Sequence, residues 1–280
     1  MQVRVKNKLN NNQQQAIGIF DSGFGGLGAV LTINQILPYE NIIYLGDTAN
    51  VPYGSKSKET IIKYAKKNSL FLMNHKVKII IIACNTVSAF ALSILRKIIN
   101  IPIIDIITPG IKLALSVSKN KRIGVVGTRG TISTKIYPKK IKKEFTLAKV
   151  YQKSCPLLVP LIEEYYNNNK VINIIIKDYF KSILKHNIDT LILGCTHYSI
   201  LKKKIRKNLN NNVIIVDPIE ASVMEVANNL KFKQIHKNTK EKIGQLTFYV
   251  TDNPKKFQSI GNKIFKGKIK LDNVIKTSII

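Results

Sequence analysis

The stretch Lys78-Ile79-Ile80-Ile81-Ile82-Ala83-Cys84-Asn85-Thr86 is echoed by Thr190-Leu191-Ile192-Leu193-Gly194-Cys195-Thr196-His197. Each is a short apolar run, one small residue, a cysteine, and then two side chains able to hydrogen-bond. The two cysteines lie 111 residues apart, about the length of one small domain. A second pair repeats at nearly the same offset. Ile17-Gly18-Ile19-Phe20-Asp21-Ser22-Gly23 is matched by Ile123-Gly124-Val125-Val126-Gly127-Thr128, shifted by 106 residues. Two similar halves, each presenting a thiol from a strand end, fit one site between two domains with a thiol on either side. That arrangement suits moving a proton from one face of a carbon to the other.

Working outward, apolar runs rich in Ile and Val mark strands at 17–20, 41–45, 77–83, 103–106, 122–126, 190–193 and 213–216. Continuously apolar strands are those buried on both faces, as in a parallel sheet. Between them fall helical patterns such as 58–74, where Ile61, Ile62, Ala65, Leu70 and Leu72 form a stripe broken by lysines. The alternation implies an α/β fold: two similar parallel-sheet domains related by pseudo-symmetry, with the active site in the cleft between them. Pro109-Gly110 marks the crossing between halves. The first domain is then 16–109 plus about 216–270, since the tail containing Leu246–Val250 returns to pack on it, and the second is 110–215. Met1 to Gln15, polar and rich in Asn and Gln, reads as a flexible N-terminal extension.

Composition narrows the function classes. No apolar run approaches the roughly 20 residues of a membrane helix, and the polar N-terminus lacks a signal-peptide core, so a cytoplasmic protein is expected. Three cysteines in 280 residues are no disulfide framework. The net charge of +29 raises the alternative of a basic nucleic-acid-binding α/β protein. The lysines, however, are spread along the whole chain, which also favours Ile and Asn, and no zinc-finger or ribonucleoprotein motif accompanies them. A lysine-rich surface with no nucleic-acid partner is the simpler reading.

Gly23, Gly25 and Gly28 form a literal G-x-G-x-x-G after a strand, with Asp47 following 19 residues later. That is the outline of a dinucleotide site. Asp21 stands where the pyrophosphate would arrive, so a small carboxylate held by backbone N–H groups fits better. Cys84 and Cys195 each sit where a strand ends and a helix begins, a position that lowers a thiol pKa from its usual ~8.5. Cys155 has no repeated counterpart and reads as a small core residue. Cys195-Thr196-His197 lacks the second ligand pair of a metal site, so no metal is expected. A thiol protease would leave the second cysteine motif without a use.

These residues resemble glutamate racemase, within the cofactor-independent aspartate/glutamate racemase family. The match runs through Asp21-Ser22-Gly23, Gly46-Asp47-Thr48, Val51-Pro52-Tyr53-Gly54-Ser55-Lys56, Ala83-Cys84-Asn85-Thr86, Cys155-Pro156-Leu157, Val159-Pro160-Leu161-Ile162-Glu163-Glu164 and Leu193-Gly194-Cys195-Thr196-His197-Tyr198. The resemblance implies racemisation of glutamate without a cofactor, with aspartate or another amino acid as the alternative substrate. It implies that Cys84 faces the D-glutamate proton and Cys195 the L-glutamate proton, assisted by Asp21 and His197 respectively. Asp21, Ser22, Tyr53, Gly54, Asn85, Thr86, Thr196 and His197 match substrate-contact positions, and Asp47 and Glu163 supporting ones. It further implies supply of D-glutamate for peptidoglycan. A homodimer, and regulation by a nucleotide-linked cell-wall precursor, are compatible with the resemblance and left open by it.

Overall fold

A computed structural model describes residues 14–164, 168–233, 235–237 and 243–279. Most of the N-terminal extension read from the sequence lies outside them. Among the described residues the chain runs through β1 (Ile17–Asp21), α1 (Leu27–Ile36), β2 (Ile42–Gly46), a 3-10 turn at Tyr53–Ser55, α2 (Lys58–Asn74), β3 (Ile79–Ile82), α3 (Asn85–Ile98), β4 (Ile103–Asp105) and α4 (Ile107–Val117). It continues through β5 (Arg122–Gly127), α5 (Arg129–Ser133), α6 (Ile136–Glu144), β6 (Lys149–Ser154), α7 (Leu158–Glu163), α8 (Asn169–Leu184), β7 (Thr190–Gly194), α9 (Thr196–Ile200), α10 (Lys202–Lys207) and β8 (Ile214–Val216). It closes with α11 (Pro218–Phe232), β9 (Leu246–Val250), α12 (Pro254–Phe265) and β10 (Val274–Lys276).

Two sheets result, and every strand pair in them is parallel. One runs β10-β9-β2-β1-β3-β4 and the other β6-β5-β7-β8. The segment β2-β1-β3-β4 and the whole second sheet therefore have the same order, which gives the sequence repeat its structural meaning. Each cysteine follows the third strand of its half. Side chains alternate across the sheets. Ile17 and Ile19 join a core under α1, α11 and α12, whereas Phe20 joins Ile80, Ile82 and residues of α2 and α3 on the other face. Burial on both faces is why the strands read as unbroken apolar runs.

The seven strands expected from the Ile and Val runs all form, each within two residues of the reading at either end. Helix α2 spans the expected 58–74, its N-terminus capped by Ser57, whose hydroxyl accepts from the Thr60 N–H at 3.2 Å. Leu246–Val250 does return to the first sheet, pairing with β2. Pro109 and Gly110 do not interrupt the chain; they lie in the first turns of α4. A proline there gives up an N–H that has no helical partner anyway. Gly110 serves a close approach, because a Cβ at that position would lie 2.8 Å from the Pro218 ring at the start of α11. Helix α11 packs against both α4 and α1 and so ties the second sheet's layers to the first sheet's. No helix among the described residues is long and apolar enough to cross a membrane.

Candidate active site

Open parallel sheets bind ligands outside the carboxyl ends of their strands, where the strand order reverses. In the first sheet that point falls between β1, which ends at Asp21, and β3, which leads into Cys84. In the second it falls between β5, which leads into Thr128, and β7, which leads into Cys195. Both cysteines take extended backbone at the residue before a helix, Cys84 before α3 and Cys195 before α9. Both face a single cavity of about 100 Å3 enclosed between the halves. Each is 6% exposed, so the thiols are sheltered but not sealed.

The walls of this cavity meet through a set of close contacts. The Tyr137 hydroxyl donates to Asn85 Oδ1 at 2.6 Å. The Thr86 hydroxyl lies 3.0 Å from that of Thr128 and 3.2 Å from that of Thr131. The Thr196 hydroxyl donates to Asp21 Oδ1 at 3.4 Å. Gly25 permits the closest passage: a Cβ there would lie 2.7 Å from His197 Nδ1 and 2.8 Å from the His197 backbone nitrogen. Asn85 Nδ2 is buried and has no hydrogen-bond partner. An unpaired buried donor is costly, and beside a cavity it suits a ligand oxygen.

The electrostatics differ on the two sides. Asp21 is fully buried, its Oδ2 accepting the N–H groups of Gly23 at 3.1 Å and Gly26 at 3.0 Å. Burial pushes its carboxyl above the ordinary value, opposed by His197 and those backbone donors. The Cys84 thiol is likewise pushed well up, by burial first and then by the Asp21 carboxylate; the Val87 and Thr86 N–H groups work against this. The sequence position had suggested a lowered thiol pKa at a helix start. For Cys84, loss of solvent outweighs the helix N–H groups. On the other side, His197 is fully buried, with Nδ1 at 3.9 Å from Cys195 Sγ and Nε2 at 2.9 Å from Glu163 Oε1. Burial alone would favour the neutral imidazole, but Cys195 and Glu163 outweigh it and hold His197 well above its ordinary range. The raised imidazole pKa favours a positive charge on His197, held between the Cys195 sulfur and the Glu163 carboxylate.

Of the residues singled out in the sequence, Ser22, Tyr53, Gly54, Cys84, Asn85, Thr86, Cys195, Thr196 and His197 line the cavity. Asp21 lies beneath it. Asp47 sits behind Tyr53, accepting hydrogen bonds from the Tyr53 hydroxyl, the Asn50 amide at 2.9 Å and the Thr251 hydroxyl at 2.8 Å. Glu163 stands behind His197. Cys155 is a core residue packed with Leu158 and Val159, its thiol pushed up to about 12 by burial. Thr128 and Arg129 from the start of α5, and Pro156, Val159 and Pro160 near α7, also line the cavity and were not among the expected site residues. The repeat held a signal for Thr128, since the offset that aligns Ile17 with Ile123 aligns Ser22 with Thr128.

Comparison with known proteins identifies relatives along most of the chain. The sequence profile of the Asp/Glu/Hydantoin racemase family matches residues 33–226. A glutamate racemase from Sulfurihydrogenibium sp. is 44% identical over 259 residues, covering 92% of this chain and 96% of that protein. Among solved structures, a glutamate racemase isoform from Bacillus anthracis superposes with a TM-score of 0.91 at 32% identity, covering 95% of this chain and 98% of that one. The glutamate racemase of Francisella tularensis, solved in complex with D-glutamate, superposes with a TM-score of 0.88 at 38% identity and the same coverage. The chain is therefore a member of the Asp/Glu/Hydantoin racemase family, grouping with its glutamate racemases, and is an amino-acid-racemising isomerase.

Proposed function

We propose that this racemase interconverts L- and D-glutamate by a two-base proton transfer at Cα that uses no cofactor. One observation carries the reading: Cys84 and Cys195, from equivalent strand ends of two similar halves, open onto the same cavity. An amino-acid Cα–H is a weak acid, so its removal needs a base in contact and support for the resulting charge. In one direction the Cys84 thiolate takes the Cα proton as the C–H electron pair moves toward the α-carboxylate. The Cys195 thiol then delivers its proton to the opposite face of the carbon. Cys84 ends as thiol and Cys195 as thiolate, and the reverse reaction exchanges these states.

The surroundings support both halves of this exchange. Asn85 and the hydroxyls of Thr86, Thr128 and Thr196 offer donors to a carboxylate, and Arg129 adds a positive charge at the cavity wall. The bound ammonium, placed near Asp21, offsets the negative charge that raises the Cys84 thiol pKa. His197, oriented by Glu163, plays the matching part for Cys195. Asp47 positions Tyr53 and the Gly54 backbone. The reading makes the protein a cytoplasmic supplier of D-glutamate for peptidoglycan. It also makes residues 16–109 with about 216–270 one domain and 110–215 the other.

The test is turnover by dialysed, chelator-treated protein, followed by circular dichroism from either enantiomer of glutamate and from aspartate. Glutamate is expected to racemise without additions and faster than aspartate. A requirement for pyridoxal phosphate, a metal or a nicotinamide, or faster turnover of aspartate, would overturn the proposal.

A further inference from the structure

A second, larger opening lies at the far edge of the six-stranded sheet. It is a groove of about 570 Å3 at the carboxyl ends of β2, β9 and β10, bordered by Asp47, Thr251 and Thr277 where those strands run out. One turn apart on α2, Lys63 and Lys67 lie on the same face, and Lys276 closes the groove from β10. Like charges at this helical spacing repel, so the pair favours an anion between them. Lys63 and Lys67 enter no ion pair among the described residues, whereas Lys276 pairs with Asp252 at 3.0 Å. Asp47, the acid bordering the groove, is already engaged by Tyr53, Asn50 and Thr251.

An independent observation comes from the groove's floor. Asn68 is 0% exposed and borders the groove; its Nδ2 donates to the Tyr53 hydroxyl at 3.1 Å, but its Oδ1 has no hydrogen-bond partner. A buried amide oxygen left unpaired costs stability and invites a donor. The groove therefore offers free cations at its rim and an unused acceptor at its base. A volume of this size falls in the range of small-ligand sites, roughly 300–1,000 Å3.

We infer that this groove is a second ligand site, separate from the catalytic cavity, for a small organic anion that carries an O–H or N–H donor beside its charge. Phosphate monoesters of polyols and dicarboxylic amino acids share that chemistry. The ammonium groups of Lys63 and Lys67 hold the anion, and the ligand's donor reaches Asn68 Oδ1. The inference does not depend on which amino acid the catalytic cavity racemises.

Isothermal titration of the whole protein with glycerol 3-phosphate, sulfate and D-glutamate tests it, because sulfate carries charge without a donor. Glycerol 3-phosphate is expected to bind about tenfold more tightly than sulfate, the effect of one hydrogen bond that satisfies a buried, otherwise unpaired acceptor. The double variant Lys63→Glu/Lys67→Glu is expected to lose that binding while racemisation continues unchanged. The matched variant Lys142→Glu/Lys143→Glu, on α6, is expected to keep it. D-glutamate binding twice to the wild type and once to the Lys63/Lys67 variant would identify the amino acid as an occupant. No glycerol 3-phosphate binding, equal affinity for sulfate, or equal loss in the α6 variant would show a general cationic surface and overturn the inference.

Discussion

Cys84 and Asp21 sit together so that the free thiol stays protonated: burial and a neighbouring carboxylate both oppose the thiolate. Since the thiolate is the species that alkylates, Cys84 should react slowly with iodoacetamide at neutral pH, rising about tenfold per pH unit across the alkaline range. Replacing Asp21 with Asn removes a negative charge that raises the Cys84 pKa. The alkylation profile of Cys84, followed by peptide mass spectrometry, should then move to lower pH; a shift to higher pH would show that Asp21 does not act on this thiol by charge. The thiols themselves separate by role. Cys84→Ala and Cys195→Ala should each reduce racemisation below detection, while Cys155→Ala, deep in the core and off the cavity, keeps most of it. Loss of one base removes a step common to both directions, so the double variant should be no worse than either single one. A Cys155→Ala protein as inactive as the other two would contradict this division.

Among the elements, the loop between β1 and α1 meets the start of α9 at Gly25, where any Cβ would press on His197. Gly25→Ala should lower kcat/KM by about a hundredfold, the effect of displacing a catalytic group by about an ångström, with little change in the far-ultraviolet spectrum. Full activity in that variant would mean the two halves do not need this approach. The same scale explains what the chain disclosed in advance. Strands such as Ile79–Ile82 were readable because burial on both faces leaves only apolar residues. Strand β6, Lys149–Ser154, was not: it is an edge strand, partly exposed, and its Lys-Val-Tyr-Gln-Lys-Ser sequence carries polar residues throughout. Strand β10, Val274–Lys276, is likewise a mostly exposed edge strand, with only two apolar residues between Asn273 and Lys276. Pro109-Gly110 does not interrupt regular structure as those residue types suggest, because the proline sits at a helix start and the glycine serves packing against Pro218 rather than a turn.

Across the whole molecule, the site was readable at the residues that repeat or end a strand, and less so where long-range packing delivers the wall. Pro156, Val159 and Pro160 reach the cavity only because the segment after β6 folds back beside α9. No local pattern announces that, although the family motif contains them. The charge of +29 belongs to this scale as well. Lysines such as Lys139, Lys140, Lys142 and Lys143 on α6 and Lys202, Lys203 and Lys204 on α10 spread it over separate helices. A field of that kind attracts an anionic substrate from a distance and is screened by salt. Raising ionic strength should therefore lower kcat/KM for glutamate while leaving kcat nearly constant, and any DNA binding should be sequence-independent and vanish in the same range. Sequence-selective DNA binding that survives physiological salt would restore the nucleic-acid reading.

The central claim is that one thiol works on each face of the carbon, and isotope incorporation tests it most directly. With L-glutamate turned over in heavy water and sampled early, newly formed D-glutamate should carry solvent deuterium at Cα, because the donor thiol has exchanged with solvent. Recovered L-glutamate should still carry hydrogen. A product that retains a substantial share of the substrate's own hydrogen would mean that a single base takes and returns the proton, and the two-thiol account would fail.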